Sequence, residues 1–269
     1  MKFQSVRILI PVIIVMLGVS CRKVPLTGRK QLKLLPESTL ISASVPQYRQ
    51  MVAEGSAQAS QAQIDQVKRV GAKISAAVEK YLRSNKEADR LKGIKWEFNV
   101  INQNVVNAFC MPGGKVAFYS GIFPITQDDD GVAAVMGHEI AHAIAGHGNE
   151  RVSQQLAIQT GLTSLDIALS EKPGETTNLI LAAAGLGSQV GILLPFSRLH
   201  ETEADKLGMV FMAMAGYDPA KTIDFWKRMQ KVGGAKPPAF LSTHPSDDKR
   251  IKELQAYLPK AKKYYRQAP

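Results

Sequence analysis

The sequence predicts an α+β fold that is predominantly α-helical, with a small β-hairpin beside a long central helix. Apolar residues recur at the helical period through Gln61–Leu82. A Pro-Gly-Gly turn at 112–114 predicts the hairpin. Three aspartates, Asp128–Asp130, precede an apolar run, which predicts a helix from about residue 131 to about residue 160. Alternating segments predict strands at Trp96–Ile101, Val105–Phe109 and Lys115–Tyr119.

Further helices are predicted on both sides of this centre. The uncharged segment Leu179–Phe196 predicts a buried helix, with a membrane hairpin as the alternative. A Gly- and Pro-rich loop is predicted at Val232–Thr243. The remaining helices are predicted at Glu37–Gln58 with an interruption at Pro46, at Arg198–Ala215, from Asp218 to about Lys231, and from Ser246 onward.

The N-terminus predicts an exported chain. A short basic stretch and an apolar run end at Cys21, which is the layout of a secretory signal followed by a cysteine that receives a lipid. We expect residues 1–20 to be a signal peptide, residues 21–36 a lipidated N-terminus and linker, and residues 37–269 one domain. An uncleaved anchor or ordinary secretion is the alternative, because Gly18 stands where a lipoprotein signal usually has leucine.

Composition excludes disordered and fibrous proteins. Hydrophobic residues make up 45% and charged residues 21%, which is a globular mixture. The net charge of +11 fits a solvated basic surface or attraction to an anionic membrane, and no nucleic-acid motif accompanies it. We therefore expect no nucleic-acid partner, and the oligomeric state stays open. The second cysteine, Cys110, is expected to be a small buried residue.

Residues 137–142, with the sequence Gly-His-Glu-Ile-Ala-His, indicate a metal site. His138 and His142 are four residues apart, so their imidazoles share one face of a helix and can bind one zinc ion. Glu139 falls beside the metal rather than on it, which suits a general base acting on zinc-activated water. The predicted cofactor is one Zn²⁺ per chain, and the predicted reaction is peptide-bond hydrolysis.

Catalytic zinc needs a third protein ligand, and Glu201 is the candidate. Glu201 and Asp205 lie four residues apart on one predicted helical face. Glu201 can therefore bind the metal while Asp205 accepts the free ring N–H of a zinc-bound histidine.

Three polar neighbours of these ligands are assigned structural roles. His147 follows His142 by five residues, which on a continuous helix turns it about 140° away from the metal. It is expected to make hydrogen bonds to Glu150 or Arg151. The other two, His200 and Glu203, are expected at the rim of the site and in solvent, respectively.

His244, which precedes Pro245, has three possible roles. It can stabilise the oxyanion of the tetrahedral intermediate. It can also occupy the open metal position in a resting state, or it can be an ordinary turn residue before proline. The residues leave these alternatives open.

Several motifs together indicate a known family. They are the histidine motif at 138–142, the spacing of Glu201 and Asp205, Arg198, the endings His244-Pro245 and Arg250-Ile251, the segment Pro25–Leu32, and Asn107–Phe109 leading into Pro112–Gly114. The chain resembles the HtpX and CAAX-prenyl-protease type of gluzincin metallopeptidases. Within that type it is most similar to the soluble bacterial envelope branch of the LoiP and BepA kind, which is related to Oma-type proteases.

The resemblance implies a zincin-like metallopeptidase domain at residues 37–269. It implies zinc ligands His138, His142 and Glu201, with Glu139 as base and Asp205 as the outer carboxylate. It also implies that Asn107, Ala108 and Phe109 lie on a strand edge that pairs with extended substrate. Arg250 would help organise the site.

The resulting hypothesis is a zinc endopeptidase of protein quality control. It would hydrolyse misfolded cell-envelope proteins and would be a lipoprotein anchored to a membrane and facing the periplasm. One alternative is a zinc-binding, chaperone-like or self-inhibited protein with little proteolytic activity. Another is a structural zinc site closed by four protein ligands, with His244 as the fourth. Glu139 favours the enzyme, because a scaffold needs no base there.

Overall fold

The structure is a computed structural model that describes residues 21–160, 178, 197–232, 238–244 and 248–265. Over these residues the fold is α+β and predominantly helical, as the sequence predicts. None of the described helices combines the length and the apolar character needed to cross a bilayer. The predicted signal peptide and the predicted buried helix at 179–196 lie outside the described residues.

The described helices surround one central helix, α4. In chain order they are α1 (Glu37–Gly55), α2 (Gln61–Ser84), α3 (Phe123–Thr126), α4 (Asp129–Ala145), α5 (His147–Thr160), α6 (Arg198–Met214), α7 (Lys221–Lys231), α8 (Ala239–Thr243) and α9 (Asp248–Tyr265). Helix α4 packs against α6, α2 and α7, and α6 packs in turn against α9.

Helix α4 begins where the aspartates predict. The Asp128 side chain accepts a hydrogen bond of 2.8 Å from the backbone N–H of Gly131 and caps the helix. Almost every residue of α4 is buried, so it is a core helix rather than an amphipathic surface helix. Helix α6 approaches α4 at Gly137 and Gly208, where neither residue has a side chain to separate the two backbones.

A three-stranded sheet lies beside α4. Its strands are β3 (Glu97–Ile101), β4 (Ala108–Met111) and β5 (Lys115–Tyr119). Their order is β3-β5-β4, with β3 parallel and β4 antiparallel to the central strand β5. The turn between β4 and β5 contains Gly113 and Gly114, both with positive φ, which confirms the predicted hairpin. Strand β4 begins at Ala108, three residues after the predicted start at Val105.

The N-terminal segment forms a short antiparallel hairpin on the surface of the domain. Strands β1 (Cys21–Lys23) and β2 (Lys30–Leu32) pair with each other. Val24 and Leu35 are buried, and the Gln31 side chain donates a 2.8 Å hydrogen bond to the carbonyl of Ala145. The hairpin is therefore bound to the C-terminal end of α4.

Three predictions about helix boundaries are wrong. The loop expected to run to Thr243 gives way to helix α8 at Ala239–Thr243. The helix expected to run to residue 160 breaks at Gly146, which has φ +78° and ends α4 before α5 begins. The interruption expected at Pro46 does not occur, because α1 continues through it. Buried contacts of Leu40 and Tyr48 on the inner face hold this helix together, and the Tyr48 hydroxyl donates to the carbonyl of Val116.

Candidate metal centre

Three helical segments bring four ligand-type side chains together. His138 and His142 come from the middle of α4, and Glu201 comes from the first turn of α6. His244 directly follows α8 and caps its C-terminal end. All four are buried, and one donor atom from each lies within 4.8 Å of the others.

The donor atoms of this group are closely spaced. His138 Nε2 lies 3.1 Å from His142 Nε2 and 3.2 Å from His244 Nδ1. The Glu201 carboxylate lies 3.2 Å from His142 Nε2 and 3.0 Å from His244 Nδ1. Its other oxygen is 3.5 Å from His138 Nε2.

These separations fit a tetrahedral zinc ion. Ligands at roughly 2.0–2.1 Å from zinc stand about 3.3 Å apart in a tetrahedron. Each of these ring nitrogens and carboxylate oxygens can offer a lone pair to a cation placed among them. Imidazole and carboxylate donors are the set that zinc prefers, so the residues present fit this metal.

Glu139 lies at the edge of the ligand group and outside it. Its side chain is buried, and its Oε1 atom has no hydrogen-bond partner among the described residues. His244 Nε2 is 3.4 Å from that oxygen. An unsatisfied buried carboxylate oxygen is costly unless the site uses it, so its position indicates a chemical role.

Asp205 supports His138 from behind. Its Oδ1 atom is 3.0 Å from His138 Nδ1, so that ring nitrogen donates and Nε2 stays free for the metal. Arg250 donates two hydrogen bonds of 2.7 Å to the same carboxylate. The Arg250 guanidinium also lies 3.5 Å from the ring centre of Trp226, which fixes its plane.

Sequence comparison identifies the domain. The model of peptidase family M48 matches residues 67–258. The chain belongs to peptidase family M48. M48 metallopeptidases use zinc, and the group of His138, His142, Glu201 and His244 suits that ion.

Several curated proteins are similar over the same region. The mitochondrial metalloendopeptidase OMA1 of Schizosaccharomyces pombe is 39% identical over 64% of this chain and 49% of its own length. The human mitochondrial metalloendopeptidase OMA1 is 29% identical over 89% of this chain and 46% of its own length. The beta-barrel assembly-enhancing protease of Yersinia pestis is 31% identical over 60% of this chain and 34% of its own length. The chain thus spans about half or less of these relatives.

Burial and Arg250 set the protonation of the acids in this M48 site. Burial raises the pKa of Glu139 above its ordinary value, which makes it a stronger base. Burial also opposes ionisation of Asp205 and Glu201. Even so, Arg250 and the histidines together outweigh burial and lower the pKa of both carboxyls. The ligand and the outer acceptor therefore stay ionised.

The predictions for the polar neighbours of the M48 ligands are wrong for Glu203 and His200. His147 lies outside the group of four candidate ligands, and the break at Gly146 places its Nδ1 atom 3.0 Å from His142 Nδ1. Glu203 is 2% exposed rather than solvated, and it lies 3.1 Å from His147 Nε2. His200 is buried rather than on a rim, and its Nε2 atom is 3.0 Å from the carboxylate of Glu150.

The segment predicted to bind substrate lies at one edge of the sheet. Asn107 immediately precedes β4, and its side chain accepts a hydrogen bond from the backbone N–H of Ala108. Ala108 packs in the main core, whereas the Phe109 side chain packs in a small second cluster with Tyr48. Any contact of Phe109 with a substrate would thus be made by its backbone. The side chain of Cys21 is not described, so its lipidation stays a prediction.

Proposed function

We propose that this M48 domain is a zinc-dependent endopeptidase. The observation that carries the proposal is the buried group of His138, His142 and Glu201 with Glu139 beside it. The family assignment supports the same reaction class.

Each side chain has one task in the proposed reaction. Zinc, when bound, supplies a Lewis acid that lowers the pKa of water and polarises the substrate carbonyl. Glu139 takes a proton from the attacking water and returns it to the leaving amine. Its raised pKa helps both steps, because the carboxyl holds that proton between them. Asp205 and Arg250 keep His138 oriented throughout.

An extended, unfolded polypeptide is the proposed substrate. Among the described strands, β4 has a sheet neighbour on one side only. Its other edge can accept one more strand by backbone pairing, which selects for extended chain rather than for a particular side chain. Helix α8 lies next to this edge, because the Phe240 N–H donates to the carbonyl of Val106 just before β4.

We further propose that the enzyme works at a cell envelope, anchored by lipid on Cys21 and facing the periplasm. The layout of residues 1–21 supports export. The relatives named for mitochondria and for beta-barrel assembly support a membrane-associated setting. Misfolded envelope proteins would be the partners, and the LoiP and BepA branch would be the place of the chain within M48.

A self-inhibited enzyme is the second candidate, and the position of His244 favours it. Its Nδ1 atom belongs to the metal group, which gives four protein donors where catalytic zinc needs an open position. His244 also stacks on Phe240 at a ring-centre distance of 4.6 Å. Displacement of the segment that carries both rings would open the site. A permanently closed structural site is the remaining alternative.

Casein cleavage by the zinc-loaded full chain separates these candidates. The endopeptidase proposal predicts cleavage by the wild type and a loss of at least about 100-fold in Glu139→Gln with zinc content unchanged. Equal cleavage by both would exclude Glu139 as the base. Activity that appears only in His244→Ala would establish self-inhibition. If neither the wild type nor His244→Ala cleaved casein, with zinc bound in both, the proposed activity would be overturned.

A further inference from the structure

The two metal-ligand histidines receive outer support of different kinds. The Nδ1–H group of His138 donates directly to the carboxylate of Asp205, which also accepts hydrogen bonds from Arg250. No carboxylate takes the equivalent position behind His142 among the described residues, where the nearest ring nitrogen is that of His147. A second histidine therefore stands where the first ligand has an acid.

The proton positions along this second path have one consistent arrangement. If His142 binds the metal through Nε2, its Nδ1 carries the hydrogen and donates to His147 Nδ1 across 3.0 Å. His147 must then carry its own hydrogen on Nε2. That nitrogen donates to Glu203 Oε2 across 3.1 Å. The path thus ends on an ionised carboxylate, as the path from His138 does.

Arg29 of the N-terminal hairpin holds the carboxylate at the end of this path. Its Nε and Nη2 atoms donate to Glu203 across 2.9–3.2 Å. The same guanidinium donates two hydrogen bonds of 2.7 Å to Glu150. Thr27 adds a hydroxyl donor to Glu203 at 2.7 Å. A bidentate arginine fixes both the position and the plane of a carboxylate, which lysine cannot do.

The hairpin is shaped to deliver these two donors together. Leu26 and Gly28 have φ of +65° and +68°, and the tight turn closes with a 2.8 Å hydrogen bond from Val24 N–H to the Arg29 carbonyl. Thr27 and Arg29 then reach the same glutamate. This turn lies within the Pro25–Leu32 segment, one of the motifs that carry the family resemblance.

We propose that Arg29 is a positioning residue for zinc, acting on His142 through Glu203 and His147. The inference rests on the proposed zinc site. It adds that the N-terminal hairpin is part of the metal centre, although it supplies no ligand. Outer partners of zinc-bound histidines set ligand orientation and basicity, so their loss weakens metal binding.

Zinc affinity, measured by chelator competition on the full chain, tests this proposal without relying on cleavage. We expect Arg29→Gln to weaken zinc binding about tenfold and His147→Phe by about 10–100-fold. The zinc affinity of the double variant should lie within about twofold of that of His147→Phe alone, because both changes interrupt the same path. Gln31→Leu is the matched control, since it removes a different buried hydrogen bond of the same hairpin. Its zinc affinity should stay within about twofold of the wild type.

Three outcomes would overturn the proposal. These are wild-type affinity in Arg29→Gln, additive losses in the double variant, or an equal loss in Gln31→Leu. If Arg29→Gln does not fold, Arg29→Lys keeps the charge but cannot span both glutamates, and a folded Arg29→Lys variant with wild-type affinity would refute the role. A wild-type chain that binds zinc but cuts no peptide would instead refute the proposed function and leave the affinity comparison intact.

Discussion

Gly208→Ala tests how closely α4 and α6 must pack to form the metal centre. A Cβ atom built on Gly208 meets backbone atoms of α4 at 2.9 Å from His138 N and 3.0 Å from Gly137 C. These atoms cannot rotate away as a side chain could. Helix α6 carries Glu201 and helix α4 carries the histidines, so any separation moves ligands apart.

The size of the effect follows from these distances. Ordinary contact begins at 3.4 Å, so the helices must separate by about 0.5 Å at this point. Metal sites tolerate distance errors of roughly 0.2 Å, so we expect zinc affinity to fall by at least about tenfold. Overpacking costs about 1–3 kcal/mol, and the better helix propensity of alanine returns about 1 kcal/mol. The net loss of folding free energy is therefore at most about 2 kcal/mol, and the variant should fold.

Chelator competition gives the zinc affinity, and urea unfolding of the zinc-free chain gives the folding free energy. Gly71→Ala is the matched control, because its Cβ would meet the Phe98 ring at 2.4 Å, away from the metal centre. We expect that control to lose stability and keep its zinc affinity. If Gly208→Ala bound zinc as tightly as the wild type, close packing of α4 on α6 would not be what sets the ligand geometry.

Three further predictions concern single residues. Asp205→Asn should weaken zinc binding by about 10–100-fold in chelator competition, and a change below twofold would exclude Asp205 as the outer partner of His138. Burial raises the pKa of Glu150, but hydrogen bonds with Arg29 and His200 outweigh it and lower the value from 4.5 to about 2. Its stabilising effect is therefore complete above about pH 4.5 and is lost toward pH 2. Thermal unfolding of zinc-free Glu150→Gln should depend less on pH in that window, and a slope equal to the wild type would contradict this. Pro46→Ala should raise the free energy of unfolding by about 1–3 kcal/mol, because proline weakens a helix interior, and an unchanged urea midpoint would refute that cost.

Local patterns predicted the centre of the fold well. The helical period, the Asp128 cap and the Gly113-Gly114 turn each act within a few residues, so their structural effect can be read from sequence. The positions of His138 and His142 follow from the same local geometry. The structure also brings Glu201 and His244 to them, although these residues follow His142 by 59 and 102 positions.

The second support path could not be predicted from such patterns. The sequence pattern predicts a helix that continues through Gly146, whereas the positive φ of Gly146 ends α4 there and brings the His147 ring to the His142 ring. The helical period places Glu203 on the face opposite Glu201 and predicts that it is solvated. Its carboxylate is instead buried and accepts hydrogen bonds from Arg29, which lies 174 residues earlier in the chain. A glycine four residues after the second histidine, and a histidine directly after it, are the local signal that a helix break lies there.

Zinc K-edge X-ray absorption on the full chain tests the central claim most directly. We predict one zinc per chain with four nitrogen or oxygen neighbours at roughly 2.0–2.2 Å and the scattering pattern of at least two imidazoles. Zinc binding should be lost in His142→Ala. A third imidazole that disappears in His244→Ala would identify the self-inhibited state. A sulfur neighbour, or zinc that remains bound unchanged in His142→Ala, would contradict a catalytic metal held by His138, His142 and Glu201.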